Sequence, residues 1–343
     1  MKVRLSVIAG LLAASVVSVS ATTFVENFTN NPAADGWRVF GDTNLFVWNA
    51  ASNNLAVTWD STRTNSYFHH PLGTIVTRGD DFSVAFDLNL SDIASGVEPG
   101  KTGPLEISFG FLNFAGATST SFMRGGWGSA PNVAEFAYYT DGFYDFGDGF
   151  IWPAPAAGVP SFISGVDSFD YAPQHIAPYD CALPLNQTVH VTFTYTASSQ
   201  TAVVTVTTNG VPVGSFPSLD LSSVEGFAST NDNFSLDTFS ISSYSSFGDD
   251  NDSVLAHGTV ANLVVTVPTP PVQNFSGSFE KDGSWKCQFL GQTNWIYALE
   301  RSTDLANWSA VISGSAGTGQ TTTFYDRNPP AACAYYRIRA ERP

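Results

Sequence analysis

Short runs in which apolar and polar residues alternate fill most of the chain. The clearest run covers residues 188–196, where valine and aromatic residues take the odd positions and threonine and histidine the even ones. Successive side chains of a strand point to opposite faces, so this run predicts a strand with one buried and one exposed face. Further strands are predicted at 54–59, 82–90, 105–111, 133–139, 202–208 and 261–267.

Turn residues separate these runs. Glycine, proline, asparagine and aspartate lie between them, and Asn209-Gly210 directly after the strand at 202–208 predicts a tight hairpin. After the first 21 residues, no run of ten or more has a convincing helical period. The predicted fold class is therefore all-β, built from antiparallel sandwich sheets.

The first 21 residues have the composition of a signal peptide. Lys2 and Arg4 precede an apolar run over 5–17, and residues 19–21 (Val-Ser-Ala) form a small-residue cleavage site. The apolar run is shorter than the ~20 residues of a membrane-spanning helix. We therefore predict a cleaved signal peptide at 1–21, a secreted, extracellular or cell-surface protein, and no transmembrane anchoring.

A proline-rich segment divides the rest of the chain unequally. The stretch before it is long enough for one large core, while the stretch after it is short and carries three widely spaced tryptophans. We predict a large β domain at 22–267, a linker at 268–273 and a smaller C-terminal β-sandwich at 274–343.

The chain is strongly acidic. It contains 14 Lys and Arg against 30 Asp and Glu, a net charge of −16. This charge argues against nucleic acid and anionic membranes as partners. It is compatible with neutral glycans, with bound calcium, or simply with solubility.

The three cysteines cannot all pair with one another. Cys287 and Cys333 lie on predicted strands of the C-terminal domain, and a disulfide between them would close a loop of about 45 residues and stabilise by roughly 3–4 kcal/mol. Two buried free thiols are the alternative, and both remain open. Cys181 lies in a proline-rich loop and is either free or intermolecular.

The large domain resembles a known family. Residues 24–28 (Phe-Val-Glu-Asn-Phe) and 82–88 (Phe-Ser-Val-Ala-Phe-Asp-Leu) look like early strands, and 256–266 looks like a closing strand beside the first. This order is similar to concanavalin A-like lectin/glucanase (laminin-G-like) jelly rolls. The resemblance implies an antiparallel jelly-roll sandwich over 22–267.

The C-terminal domain carries a second resemblance. Residues 297–308 (Tyr-Ala-Leu-Glu-Arg-Ser-Thr-Asp-Leu-Ala-Asn-Trp) and 335–340 (Tyr-Tyr-Arg-Ile-Arg-Ala) are similar to a fibronectin type III-like module of exported bacterial proteins. We expect this module to serve as a spacer, docking or anchoring element.

The sequence contains a few acids that are candidate catalytic carboxylates. Glycosidases of the resembled family carry a Glu-x-Asp-x-x-Glu strand, which this chain lacks. Glu106 and Glu135 would share a sheet face at about 5–10 Å if their strands were neighbours. If the protein is an enzyme, Glu106, Glu135 and Asp141 are its candidate catalytic residues; otherwise they are isolated acids.

Aromatic residues and aspartates are concentrated between 127 and 152. Sugar recognition stacks a pyranose on an aromatic ring while carboxylates accept its hydroxyl hydrogens, so this mixture predicts a glycan site. An ordered excursion over one face or edge of the sandwich is expected at 142–185. Core packing of the aromatics is the alternative. The candidate ligand-binding residues are Trp127, Tyr139, Asp141, Tyr144, Asp145, Asp148 and Trp152.

A turn at 248–253 is rich in oxygen ligands. Asp249, Asp250 and Asp252 are candidate ligands of a structural calcium ion, and a solvated acidic turn is the alternative. No cofactor is required. His69 and His70 are adjacent on a predicted strand end, so they should point to opposite faces and not share a metal.

These patterns favour a secreted or cell-surface, non-catalytic, lectin-like protein that binds a polysaccharide or cell-surface glycan. A jelly-roll glycoside hydrolase or polysaccharide lyase is one alternative. A structural or adhesive surface protein that self-associates is the other.

Overall fold

The computed structural model describes residues 21–122, 124, 132–139, 142–145, 151–154, 157–163, 171–172, 182–214, 218–222, 234–246, 252–293, 295–330 and 333–342. For Pro104 and for the four segments between 142 and 172, the backbone alone is described. Apart from Ala21, the predicted signal peptide lies outside these residues. Within them, no helix has the length and apolar character needed to cross a membrane.

The described chain is almost entirely β-structure. Its first strands are β1 (Ala21–Glu26), β2 (Arg38–Phe40), β3 (Phe46–Asn49), β4 (Asn54–Asp60), β5 (Ser66–Thr77), β6 (Phe82–Ser95), β7 (Gly103–Pro104), β8 (Ile107–Leu112) and β9 (Val133–Tyr139). They are followed by β10 (Gly142–Asp145), β11 (Ile151–Ala154), β12 (Ala157–Ile163), β13 (Tyr171–Ala172), β14 (Thr188–Thr196), β15 (Thr201–Thr208), β16 (Val211–Pro212), β17 (Ser218–Asp220), β18 (Ser235–Ser243) and β19 (Asp252–Pro268). The last strands are β20 (Val272–Phe279), β21 (Trp285–Gly291), β22 (Ile296–Ser302), β23 (Ser309–Ala316), β24 (Thr321–Asp326) and β25 (Tyr335–Glu341). The helices are short: α1 (Phe114–Ala117) and two 3-10 turns, Pro32–Asp35 and Thr43–Leu45.

Two large sheets form a sandwich from residues 21–268, here called the N-terminal sandwich. The ten-stranded sheet follows the order β16-β15-β14-β6-β19-β4-β3, with β1 and β7 paired to β19 and β17 paired to β15. The seven-stranded sheet follows the order β13-β12-β9-β8-β18-β5-β2. The two sheets share one apolar core, in which Phe86 of β6 stacks on Phe109 of β8 with 4.2 Å between ring centroids. First strand β1 pairs antiparallel with closing strand β19, as predicted. The fold is thus the predicted antiparallel jelly-roll sandwich.

Local patterns predicted from the sequence are confirmed within this sandwich. In β14, the odd positions 189–195 are buried and the even positions are exposed or half-buried. Asn209 and Gly210 have φ values of 50° and 78° and connect the paired residues Thr208 and Val211. These angles fit the type I′ turn expected of an Asn-Gly hairpin.

Two three-stranded sheets make up the C-terminal sandwich, residues 272–341. Their orders are β20-β21-β24 and β23-β22-β25. They enclose a separate apolar core of Trp285, Cys287, Phe289, Trp295, Tyr297, Leu299 and Phe324. A smaller β-sandwich is therefore present as predicted, while its likeness to fibronectin type III modules stays a prediction.

The considered disulfide between Cys287 and Cys333 is absent, because both thiols are free. Cys287 points into the core from β21, where it pairs with Phe324 of β24. Cys333 is exposed and lies two residues before β25, a strand of the other sheet. The two thiols therefore lie in different environments, one in the core and one at the surface. Cys181 lies outside the described residues.

Candidate functional site

The seven-stranded sheet has one face against the core and one turned away from it, here called the outer face. Strand alternation sends Phe109 of β8 and Phe136 of β9 into the core. Glu106, just before β8, and Glu135 on β9 have the opposite parity and lie on the outer face. Strands β8 and β9 are antiparallel neighbours, with Gly110 opposite Glu135. The prediction that Glu106 and Glu135 share a face is confirmed.

A single arginine lies between these two carboxylates. Arg124 donates from Nε to Oε1 of Glu135 at 2.7 Å, and its Nη2 lies 2.6 Å from the same oxygen. Its Nη1 lies 3.1 Å from Oε1 of Glu106. The Tyr244 hydroxyl donates to the other oxygen of Glu135 at 2.9 Å. All four residues are buried, with 1–3 % of their surface exposed.

Burial sets the electrostatics of this ion network. It raises the pKa of Glu106 to about 7; Arg124 opposes that shift, and the charge of Glu135 adds to it. Burial alone would lower the pKa of Arg124, but the two carboxylates raise it well above its ordinary value. The pKa of Tyr244 is also raised well above normal, by burial and by Glu135. Arg124 therefore stays charged, while Glu106 changes its charge near neutral pH.

Arg124 and Tyr244 are not among the predicted site residues. Tyr244 gives no sequence signal, because it lies 109 residues from its partner Glu135. Arg124 does give one: it is the single Lys or Arg between Lys101 and Lys281 in an acidic chain. A lone cation surrounded in sequence by acids is a natural counter-ion for a buried carboxylate.

Small side chains line the outer face beside this network. Ser108 and Gly110 of β8 and Ser240 and Ser242 of β18 are neighbours across two strands, and the three serines are buried. A Cβ at Gly110 would overlap the backbone of Glu135, so glycine is required where β9 approaches. This row places small polar groups on the outer face next to an apolar cluster that includes Leu112 and Tyr244.

The two adjacent histidines point to opposite faces, as predicted. The His69 ring packs on Phe114 above the outer face, 4.3 Å between centroids, while the His70 ring lies 5.1 Å from Trp37 on the core side. Burial lowers the pKa of His69 to about 4, with the charges of His70 and Arg38 acting in the same direction. His69 is therefore a neutral, buried ring.

The predicted excursion at 142–185 is partly described and contains more strand than expected. Strand β12 pairs with β9 and β13 pairs with β12, so this part extends the edge of the seven-stranded sheet. Strands β10 and β11 form a separate hairpin in which Tyr144 pairs with Trp152 and Asp145 with Ile151. Tyr139 ends β9 and is half-buried. The candidates Trp127, Asp141 and Asp148 lie outside the described residues.

The structure describes only one of the three predicted calcium ligands. Asp252 begins β19 and is half-buried, whereas Asp249 and Asp250 lie outside the described residues. In the described part of the chain, no group of three or more His, Cys, Asp or Glu residues could hold a metal ion. Structural calcium stays a prediction, and a melting temperature unchanged by EDTA would contradict it.

Comparisons with known proteins find similarity at the level of structure. No family model matches the chain, and no curated protein matches it. Peanut lectin, solved with a nine-residue peptide, is 16% identical over 73% of this chain and 99% of its own, with a TM-score of 0.39. The Lotus tetragonolobus seed lectin is 12% identical over 73% of this chain and 100% of its own, with a TM-score of 0.43. Winged bean acidic lectin, solved with methyl-α-D-galactose, is 12% identical over 73% and 99%, with a TM-score of 0.38. These similarities concern the course of the strands and assign neither a family nor a ligand to the chain.

Proposed function

We propose that the protein is a secreted or cell-surface lectin-like protein that binds a polysaccharide or cell-surface glycan without cleaving it. The binding site is the β10–β11 hairpin together with Tyr139 at the end of β9. The observation that carries this proposal is the backbone register that pairs Tyr144 with Trp152. It joins two aromatic residues in a segment that also contains Asp141, Asp145 and Asp148.

The chemistry of this pairing suits a sugar. A pyranose presents an apolar face that packs on aromatic rings, and a rim of hydroxyl groups that donate to carboxylates. The hairpin supplies both kinds of residue within a few positions of each other. The acidic chain also favours a neutral glycan over a polyanionic one, because like charges repel.

The ion network on the outer face supports a binding role over a catalytic one. A retaining or inverting glycosidase needs an acid and a second carboxylate on either side of one bond. Here Arg124 lies between Glu106 and Glu135, and both acids are at most 2% exposed. Such carboxylates are engaged with the protein itself.

One observation favours a glycoside hydrolase or polysaccharide lyase as the second candidate. Glu106 has its pKa raised to about 7 and shares a face with Glu135, which is how a general acid is prepared beside an ionised carboxylate. Release of reducing ends or unsaturated products from a polysaccharide panel, abolished by Glu106→Gln, would support it. Absence of turnover on the whole panel supports the binding role.

The binding proposal is tested on a glycan array and by titration calorimetry with the best glycan found. Trp152→Ala and Tyr144→Ala should each weaken binding at least tenfold, equivalent to ~1.4 kcal/mol. Phe279→Ala is the matched control, since this ring is 67% exposed on the C-terminal sandwich and its loss should leave affinity unchanged. Circular dichroism confirms that each variant is folded. Unaltered affinity of both hairpin variants, or no binding to any glycan, would contradict the proposal.

A further inference from the structure

The connection between the two sandwiches is short, and its residues are buried or half-buried. Strand β19 ends at Pro268 and β20 begins at Val272, so three residues join them. Pro268 and Thr269 are buried, and Pro270 packs beside Gly73, whose added Cβ would lie 3.7 Å from its ring. The predicted linker at 268–273 is thus mostly strand and packed chain. A flexible linker is exposed and rich in Gly and Ser, which this one is not.

The connection is also fixed to the core of the C-terminal sandwich. The hydroxyl of the buried Tyr297 donates to the Pro271 carbonyl at 2.6 Å and accepts from the Gln292 backbone N–H at 2.6 Å. The last residue of the connection is therefore held by β22, the middle strand of the sheet β23-β22-β25.

A second contact joins the sandwiches from the far end of the chain. Arg342, directly after β25, donates from Nη2 to Oδ1 of Asp80 at 2.6 Å. Asp80 lies in the turn between β5 and β6 of the N-terminal sandwich and is 7% exposed. Its other oxygen accepts from the backbone N–H and hydroxyl of Thr77, both at 2.9 Å. The guanidinium also lies 4.8 Å from the centre of the Trp295 ring.

Charge favours this contact. Residues 272–343 contain seven Lys and Arg and six Asp and Glu, so the preceding chain has seven basic and 24 acidic residues. A cation at the end of a nearly neutral sandwich is attracted to an acidic neighbour, and the pair is only partly screened because Asp80 is buried.

We propose that Arg342 is a latch that, with the packed connection at 268–271, holds the two sandwiches in one fixed orientation. The two attachments lie on different sheets of the C-terminal sandwich, one at the start of β20 and one after β25, and together they remove the rotation that a single short connection would permit. The C-terminal sandwich is then a rigid extension of the N-terminal one and presents its exposed strands in a constant direction. This inference is independent of the proposed glycan binding.

The test measures the distance between the sandwiches in the full chain. Spin labels are placed on the natural, exposed Cys333 and on Ser52→Cys, an exposed position of the N-terminal sandwich, in a Cys181→Ser background. Pulsed electron resonance should give one narrow distance distribution. Arg342→Ala should broaden it at least twofold, and high salt should broaden it in the unsubstituted protein.

Arg337→Ala is the matched control. It removes an arginine from the same strand region, but its partner Glu300 lies within the C-terminal sandwich, so the distribution should stay narrow. Asp80→Asn removes the other half of the ion pair and should broaden the distribution as Arg342→Ala does. A broad distance distribution in the unsubstituted protein would contradict the proposal. So would a distribution whose width neither Arg342→Ala nor Asp80→Asn alters.

Discussion

Replacing Arg124 by methionine tests the interpretation of the outer-face ion network. Methionine keeps much of the side-chain length but has no charge and no donor. The substitution removes the arginine from Oε1 of Glu135, whose other oxygen accepts from the Tyr244 hydroxyl, and it also removes the guanidinium 3.1 Å from Oε1 of Glu106. Two carboxylates then remain buried at 1–2% exposure.

The expected loss in the free energy of unfolding is about 3–5 kcal/mol, the usual cost of removing one member of a buried ion pair. It is a large share of the ~5–15 kcal/mol of a typical domain. Protonation relieves part of the loss. Without Arg124, which lowers it, the folded-state pKa of Glu106 rises further, so the deficit should be smaller at pH 5 than at pH 8.

Urea denaturation followed by tryptophan fluorescence measures this loss. Arg337→Met is the control, because Arg337 is about half-exposed and its buried partner Glu300 keeps Arg339 as a second cation, so the loss should be at most ~1 kcal/mol. The double variant Arg124→Met/Glu135→Gln should lose less than the sum of the single variants, with a coupling of ~1–3 kcal/mol. A loss below ~1 kcal/mol for Arg124→Met, or no coupling, would refute the network.

Three other predictions concern single positions. Gly110→Ala should lower the free energy of unfolding by ~1–3 kcal/mol or more, because its Cβ overlaps Glu135 of the next strand; chemical denaturation with an unchanged value would contradict this. The pKa of His69 is lowered to about 4 in the folded protein, so the free energy of unfolding should fall as pH decreases from ~6.5 towards 4. In His69→Gln, melting curves should show this decrease to be smaller by ~1–2 kcal/mol. Burial raises the pKa of the Cys287 thiol to about 11, so iodoacetamide should label the exposed Cys333 and spare Cys287 in the native protein, as read by peptide mass spectrometry. Equal labelling of the two cysteines would argue against the packed core.

The motif at 335–340 shows which contacts a sequence pattern predicts and which it does not. Residues 335–340 alternate aromatic or apolar residues with arginines, which predicts a strand with two unlike faces. The structure turns Tyr336 and Ile338 to the core and sends Arg337 and Arg339 to the other side. Each of these arginines donates from Nε to an oxygen of Glu300 at 2.8 Å. The sequence predicts the strand, but the acid that both arginines contact, Glu300, lies on β22, more than thirty residues earlier.

The sequence by itself determined the main strands, their buried faces, the Asn209-Gly210 turn and the parity of Glu106 and Glu135 on their strands. Those features depend on the two-residue period of a strand and on local turn chemistry, which neighbouring residues specify. The tertiary structure decided that Arg124 lies between the two acids, that Cys287 and Cys333 stay apart, and that the proline-rich connection is packed. Each of these depends on contacts between residues distant along the chain, which the two-residue strand period does not specify.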